Sequence, residues 1–296
     1  LGTGTLNLAG TTTHSGNTRV EAGTLSFANS DAFYGGNIDS TNAAKLTVRS
    51  GANASFVLGG SGYFSSSDLN TVASNATLEA GSSISADTTQ IGSATLTQSG
   101  SYNLNKLGTG TLTLDASSSG TGALTVSAGT LAIGNITSGT LSAASITNNG
   151  EVAFNPSSNL AFNGTIDGTG NFTKSGTGDL TVSSLTSTGT IAVTAGNLIT
   201  GSDIDNRTGS LSITAGGSYN LSSISSLNYL TIGTSSGSNG TVTVNGSGSN
   251  ITSGGRLRVA SSGTGTLNIE AGATATFDRN SYSYVGYSST GVGTVT

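Results

Sequence analysis

His14 is the only histidine in the chain, and there is no cysteine. A Ser-His-acid triad needs a histidine as base, a nearby nucleophile and a buried carboxylate to orient the ring. His14 stands in Thr11-Thr12-Thr13-His14-Ser15-Gly16, with no acidic residue close in sequence, and reads as an exposed loop residue. With one histidine and no thiolate, a zinc site would have to rely mainly on carboxylates. Among the 14 acidic residues only Asp203 and Asp205 stand as a close pair. At i and i+2 of a strand they would share a face. That spacing could supply half of a Ca²⁺ site or a carboxylate dyad of the glycosidase kind. The adopted reading of Ser202-Asp203-Ile204-Asp205-Asn206 is a solvated turn with Ile204 inward, which leaves Asp203 and Asp205 as metal candidates only. No catalytic residue and no cofactor are assigned.

The many Gly-x-Gly steps lack the third glycine of a dinucleotide fingerprint, and no Gly-Lys dipeptide exists for a phosphate loop. They read as corners of the backbone. Binding chemistry is better served by aromatic residues. Tyr282 and Tyr284 alternate onto one strand face, with Tyr287 after the next turn, and Arg256 and Arg258 share another outward face. Exposed tyrosines stack on sugars or anchor protein interfaces. These five residues are the surface-binding candidates. Phe33-Tyr34 and Tyr63-Phe64 fall in longer loops between regular segments. Ten Asn-x-Ser/Thr sequons occur, a number that a chain so rich in Asn, Ser and Thr produces by chance.

Composition narrows the class. Charged residues make up 8% of the 296, where about 25% is usual. Nine basic residues against 14 acidic ones give a net charge of −5, which offers no field for a polyanion and excludes nucleic acid as an expected partner. Glycine fills 46 positions but there is one proline, so collagen is excluded. No apolar run reaches the roughly 18 residues of a membrane-spanning helix. Cys, Met and Trp are absent, and the sequence opens in mid-pattern at Leu1-Gly2-Thr3-Gly4-Thr5-Leu6, so a segment of something longer is expected.

The elements that would position these residues are short. Apolar-polar-apolar triplets recur, among them Leu25-Ser26-Phe27, Leu46-Thr47-Val48, Leu124-Thr125-Val126, Leu180-Thr181-Val182 and Ile191-Ala192-Val193. This period of two marks half-buried strands, and Gly, Asn and Ser clusters between them supply turns. Helix is disfavoured by the composition. The stretch from Tyr63 to Ala80 lacks glycine; Asp68 to Ala73 could form a short helical turn, but loop and strand are expected there too. Triplets repeat at fixed steps: Leu6 to Leu25 and Leu112 to Leu131 are 19 apart, Leu180 to Leu198 is 18, and Ile232 to Val259 to Val285 gives 27 and 26. A β-sandwich array has a domain period near 100 residues, and propeller blades repeat at about 40 to 50. The steps instead predict an all-β, right-handed parallel β-helix with about three strands per coil. Roughly 11 to 15 coils at the inter-strand spacing would make a single solenoid over 1–296, about 50 to 70 Å long.

Lys106-Leu107-Gly108-Thr109-Gly110-Thr111-Leu112-Thr113-Leu114, followed by Ser127-Ala128-Gly129-Thr130-Leu131, resembles the passenger-associated repeat of bacterial autotransporters. A second copy runs from Leu1 to Leu25, and a third, more divergent, from Lys174 to Leu198. The stretch from Leu230 to Thr296, with Tyr284-Val285-Gly286-Tyr287, is similar to another repeat of the same large surface proteins. The resemblance implies a secreted β-helix exported by type V secretion to the surface of a Gram-negative bacterium, acting as a stalk or adhesin. It also implies an outer-membrane barrel in the full-length chain; neither a barrel nor a recognisable cap is in this sequence.

The expected function is therefore a non-enzymatic extracellular rod whose partners are a host or neighbouring-cell surface, glycans, or copies of itself. A filament subunit joined end to end through open sheet edges is one alternative. A carbohydrate-active enzyme using Asp203 and Asp205 is the other.

Overall fold

The computed structural model describes residues 2–136, 139–186, 189–200, 210–213, 218–221, 229–232, 236, 239–253, 256–277 and 282–296. They fall into two compact units, residues 1–132 with 142–145, and residues 133–141 with 146–296. The protein is all-β with parallel strands stacked coil upon coil.

In the first unit the main ladder joins Thr5–Leu8, Thr24–Phe27, Asn53–Val57, Ser83–Asp87, Asn103–Leu107 and Leu124–Val126. Each inward residue lies on its counterpart one coil away: Leu6 on Leu25, Leu25 on Ala54, Ala54 on Ile84, Ile84 on Leu104, Leu104 on Leu124. The alternation explains the register. Along Thr24–Phe27, Leu25 and Phe27 are buried while Thr24 and Ser26 stay partly exposed, and a slip of one residue would turn the apolar set outward. A second ladder pairs Ser93–Leu96 with Thr111–Leu114. A third joins Thr18–Val20, Leu46–Val48 and Thr77–Leu78.

The longer coils of this unit also carry helical insertions. The first, α1, spans Ser40–Ala43. The second, α2, spans Ser66–Asn75 and corrects the expectation of loop and strand after Tyr63. Two effects override the weak helix propensity. Ser65 and Asp68 form a reciprocal capping box, and Leu69 and Val72, three apart on one face, are buried completely. Strand resumes only at Thr77–Leu78. Phe33 and Tyr34 precede α1 and Phe64 precedes α2, in the longer segments expected there, and all three are buried in the core. Phe27 stacks on Phe56 at 5.1 Å, with Phe33 and Phe64 edge-on at 5.2 and 6.4 Å, an arrangement that suits ring quadrupoles.

In the second unit one ladder joins Leu160–Asp167, Leu180–Leu185, Asn197–Thr200, Ser218–Leu221, Asn250–Ser253 and Thr274–Phe277. Another joins Glu151–Phe154, Asn171–Lys174, Ile191–Val193, Ser210–Ile213, Asn239–Asn245, Thr264–Glu270 and Val292–Val295. The third joins Tyr229–Ile232, Arg256–Val259 and Tyr284–Val285. Val152 lies on Phe172, Phe172 on Ile191 and Ile191 on Leu211, steps of 20, 19 and 20 residues. At that length a coil has two strands. The expected three appear only where the step lengthens, as from Val242 to Leu267 to Val295, 25 and 28 residues. About 20 residues hold two strands of three to five and their turns, with nothing left for a third.

No coil buries enough alone. Each enclosed Leu, Val or Phe is worth about 1.5–3 kcal/mol, and those on the ladders are covered by their counterparts in neighbouring coils.

Candidate functional site

Two of the chain's three lysines are inside the protein. Lys106 is 1% and Lys174 0% exposed. Both occupy inward positions at strand ends, Lys106 between Ala86 and Val126 and Lys174 between Phe154 and Val193. Among the described residues neither has a carboxylate within ion-pair distance. Lys106 Nζ instead donates to the carbonyl oxygens of Leu107 at 2.8 Å, Gly108 at 2.7 Å and Ala128 at 3.0 Å. Lys174 Nζ donates to Ser175 at 2.7 Å, Gly176 at 2.8 Å and Ala195 at 3.0 Å. An ammonium has three donors and no acceptor, so each cage uses all three.

The cage needs glycine where the next coil closes it. Gly129 has φ +66, and a Cβ there would lie 2.5 Å from the Gly108 and Gly110 carbonyl oxygens and 2.8 Å from Lys106 Nζ. Gly196, at φ +62, has the same relation to Gly176, Gly178 and Lys174. Gly23 closes on Gly2 and Gly4 in like manner. The Lys-x-Gly-Thr-Gly corner and the Ala-Gly return, one coil apart in the sequence, are thus two halves of a single joint.

Burial pushes the Lys106 ammonium down from 10.5 to about 8, with the Asp87 carboxylate opposing. Lys174 is lowered for the same reason, opposed by Asp179. The three carbonyls favour the charged form. Through its carbonyl acceptors each ammonium ties its own corner to the return one coil away. Sequence reasoning passed over the role of both lysines. The signal was there: a lysine occupies the inward slot two residues before the Gly-Thr-Gly corner at Gly108 and again at Gly176.

The residues singled out from sequence lie elsewhere. Asp203 and Asp205 fall outside the described residues. Arg258 stacks over Tyr287, its guanidinium carbon 4.5 Å from the ring centre. Tyr287 meets Tyr284 edge-on at 4.8 Å, and Arg258 pairs in register with Tyr284. Three of the five surface candidates therefore form one cluster. Tyr282 is 82% exposed and makes no ring contact with them; Arg256 begins the strand that holds Arg258. His14 is exposed, bonded to Thr18 Oγ1 at 2.8 Å and tilted against the Tyr34 ring at 4.7 Å. Among the described residues no group of three or more His, Asp or Glu side chains could hold a metal ion.

The family model for the passenger-associated-transport-repeat matches residues 1–27 and 104–133. No curated protein and no solved structure matches the chain. The matched segments contain Gly2, Gly4 and Gly23 in one case and Lys106, Gly108, Gly110 and Gly129 in the other, so the repeat is the corner-and-return joint described above. Two segments built into the stacked parallel strands are thus similar to the passenger-associated-transport-repeat, a match that supports an autotransporter passenger repeat protein.

Proposed function

We propose that this chain is a non-enzymatic structural segment of the passenger, a stiff spacer displayed outside a Gram-negative cell that holds contact surfaces away from it. Passengers of this family are secreted to the cell surface. The observation that carries the spacer reading is the pair of lysine cages. A rod must resist slippage between coils, and each cage ties a strand end to the return of the following coil. The ladders add a bond along the stack at nearly every strand residue. The outward Arg258, Tyr284 and Tyr287 cluster would serve as a contact with a glycan or a neighbouring surface.

Several described carboxylates are already engaged in ways that suit a scaffold. Glu21 pairs with Arg19 and Arg49, and Glu79 with Arg49 at 2.7 Å. Asp39 caps α1 and Asp68 caps α2. Asp115 accepts from Thr97 and from Ser117.

Limited trypsin digestion of the native protein tests the reading. A spacer of this build should survive as large fragments, uncut after Lys106 and Lys174, with a β-type circular dichroism spectrum. Cleavage after those lysines as fast as in the urea-unfolded chain would overturn it.

A further inference from the structure

A polar groove in the first unit shares no residue with the cages or the tyrosine cluster. It has a volume of about 380 Å³ and runs between the loop holding Thr11 to Ser15 and the insertion holding Tyr34 to Lys45. That size suits a small organic ligand and exceeds what a single oxyanion needs. Its walls are hydroxyls, amides, the His14 ring and one ammonium; no carboxylate lines it.

The ammonium belongs to Lys45. Arg19 and Arg49 are neutralised by Glu21 and Glu79, and Lys106 and Lys174 are fastened inside their cages. Lys45 is partly exposed and donates to one neutral acceptor, Asn42 Oδ1, at 2.7 Å. Its charge otherwise faces the Tyr34 ring, 5.3 Å from the centre. An ammonium so placed has donors left for an anion.

The rest of the groove is held in place before any ligand arrives. Tyr34 donates to Thr18 Oγ1 at 2.9 Å, and Thr18 meets His14 Nε2 at 2.8 Å. The Thr18 hydroxyl hydrogen is then available to Nε2, the tautomer that leaves the ring proton on Nδ1. Asn42 is tied by its amide to the Asn37 carbonyl at 3.0 Å. Thr12 fastens the opposite loop to Ala32 at 3.1 Å. Tyr34 itself has φ +49, a left-handed conformation that costs a non-glycine residue energy and persists only where surroundings impose it. Strain of this kind clusters at binding sites.

We infer that this groove binds an acidic saccharide, with a hexuronate carboxylate on Lys45 and sugar hydroxyls on the threonine, serine and asparagine side chains. The proposal is independent of the spacer reading, which a negative result here would leave standing.

Titration calorimetry with tri-galacturonate, at neutral pH and low salt, tests it, with maltotriose and inorganic phosphate as comparisons. Saturable binding of tri-galacturonate is expected, at least tenfold tighter than either comparison and weakened by added salt. Lys45→Met should weaken it at least tenfold and His14→Ala several-fold, with melting points unchanged. Absence of binding to tri-galacturonate would overturn the proposal. So would equal binding of maltotriose, which removes the role of charge, or of phosphate, which reduces the groove to an oxyanion site. These comparisons use the unaltered protein, so they decide the matter even if a variant fails to fold.

Discussion

The Lys106 ammonium and the Ala128 carbonyl lie 3.0 Å apart although 22 residues separate them. Lys174 and Ala195, 21 residues apart, repeat the bond at the same distance. A charge buried without a counter-ion is ordinarily costly. Here three carbonyl dipoles replace water, and the bond to Ala128 or Ala195 makes the cage a tie between coils.

Replacing the lysine should therefore destabilise far more than removing a surface charge. Lys106→Met keeps the apolar stem but leaves three carbonyls without their donor, at a cost of about 2–4 kcal/mol. Lys174→Met should cost the same. Lys45→Met, at a partly exposed position with one neutral acceptor, should change stability by less than about 1 kcal/mol. Urea denaturation of the three variants makes the comparison, and equal effects at positions 45 and 106 would contradict the cage.

Gly129 separates two costs that are usually confounded. Gly129→Ala incurs both a left-handed backbone, about 1–2 kcal/mol, and a collision of Cβ with carbonyls 2.5 Å away. Gly51 has a similar φ of +75 with open space around it, so Gly51→Ala carries the backbone cost alone. Thermal melts should show Gly129→Ala as the worse variant by at least about 2 kcal/mol, with Gly196→Ala matching it. Indistinguishable melting points for positions 51 and 129 would rule out the close approach.

Stability should rise with pH over an unusual interval. Lys106 titrates near 8 in the folded protein against 10.5 when unperturbed, and Lys174 is shifted the same way. Below pH 8 both states are charged and the burial penalty is fully present. Between about 8 and 10.5 the unfolded chain binds more protons, so unfolding becomes harder as pH increases. Tyr102 acts in the opposite sense. Burial raises it from 10.0 to about 12, so above pH 10 the folded state retains the proton and stability falls. The urea midpoint should climb from pH 7.5 to 9.5, then turn down, and the Lys106→Met, Lys174→Met double variant should lose the climb. A flat or falling midpoint below pH 9.5 would mean that the carbonyls hold the ammonium at its ordinary value.

The capping box should carry much of α2. Ser65→Ala removes the Oγ that accepts from Asp68 N at 3.1 Å, a loss of about 1 kcal/mol. Because Leu69 and Val72 anchor the helix in the core, the effect should appear in the global melt and not only as local fraying. An unchanged melting point would show that α2 is dispensable to the unit.

Much of the ladder was legible in the sequence because apolar triplets have one register that buries both flanking residues. Leu6 on Leu25, Leu180 on Leu198, and Ile232 on Val259 on Val285 are all native pairings, and each follows from the step between triplets. The helix at Ser66–Asn75 was legible only as an alternative, a short turn over Asp68 to Ala73: its residues are mediocre helix formers, and burial of Leu69 and Val72 decides a matter that propensity leaves open. The cages were missed because a lysine in an inward slot reads as an interruption of the strand. Its acceptors include a residue one coil away, visible only once the coils are stacked. The tyrosine and arginine candidates were found by exposure and alternation, yet the contact of Arg258 with Tyr287 depends on the turn at Gly286.

The central claim is that residues about 20 apart are nearest neighbours in successive coils. The chain has no cysteine, so two can be introduced cleanly at Asn105 and Thr125, which pair in register on adjacent strands, and in a second protein at Thr95 and Thr113. Nitroxide labels on strands about 4.8 Å apart should give spectra strongly broadened by spin–spin coupling in both proteins, lost on unfolding in urea. Narrow spectra from the folded proteins, equal to the sum of the single-label spectra, would contradict the stacked-coil account and the lysine joints built on it.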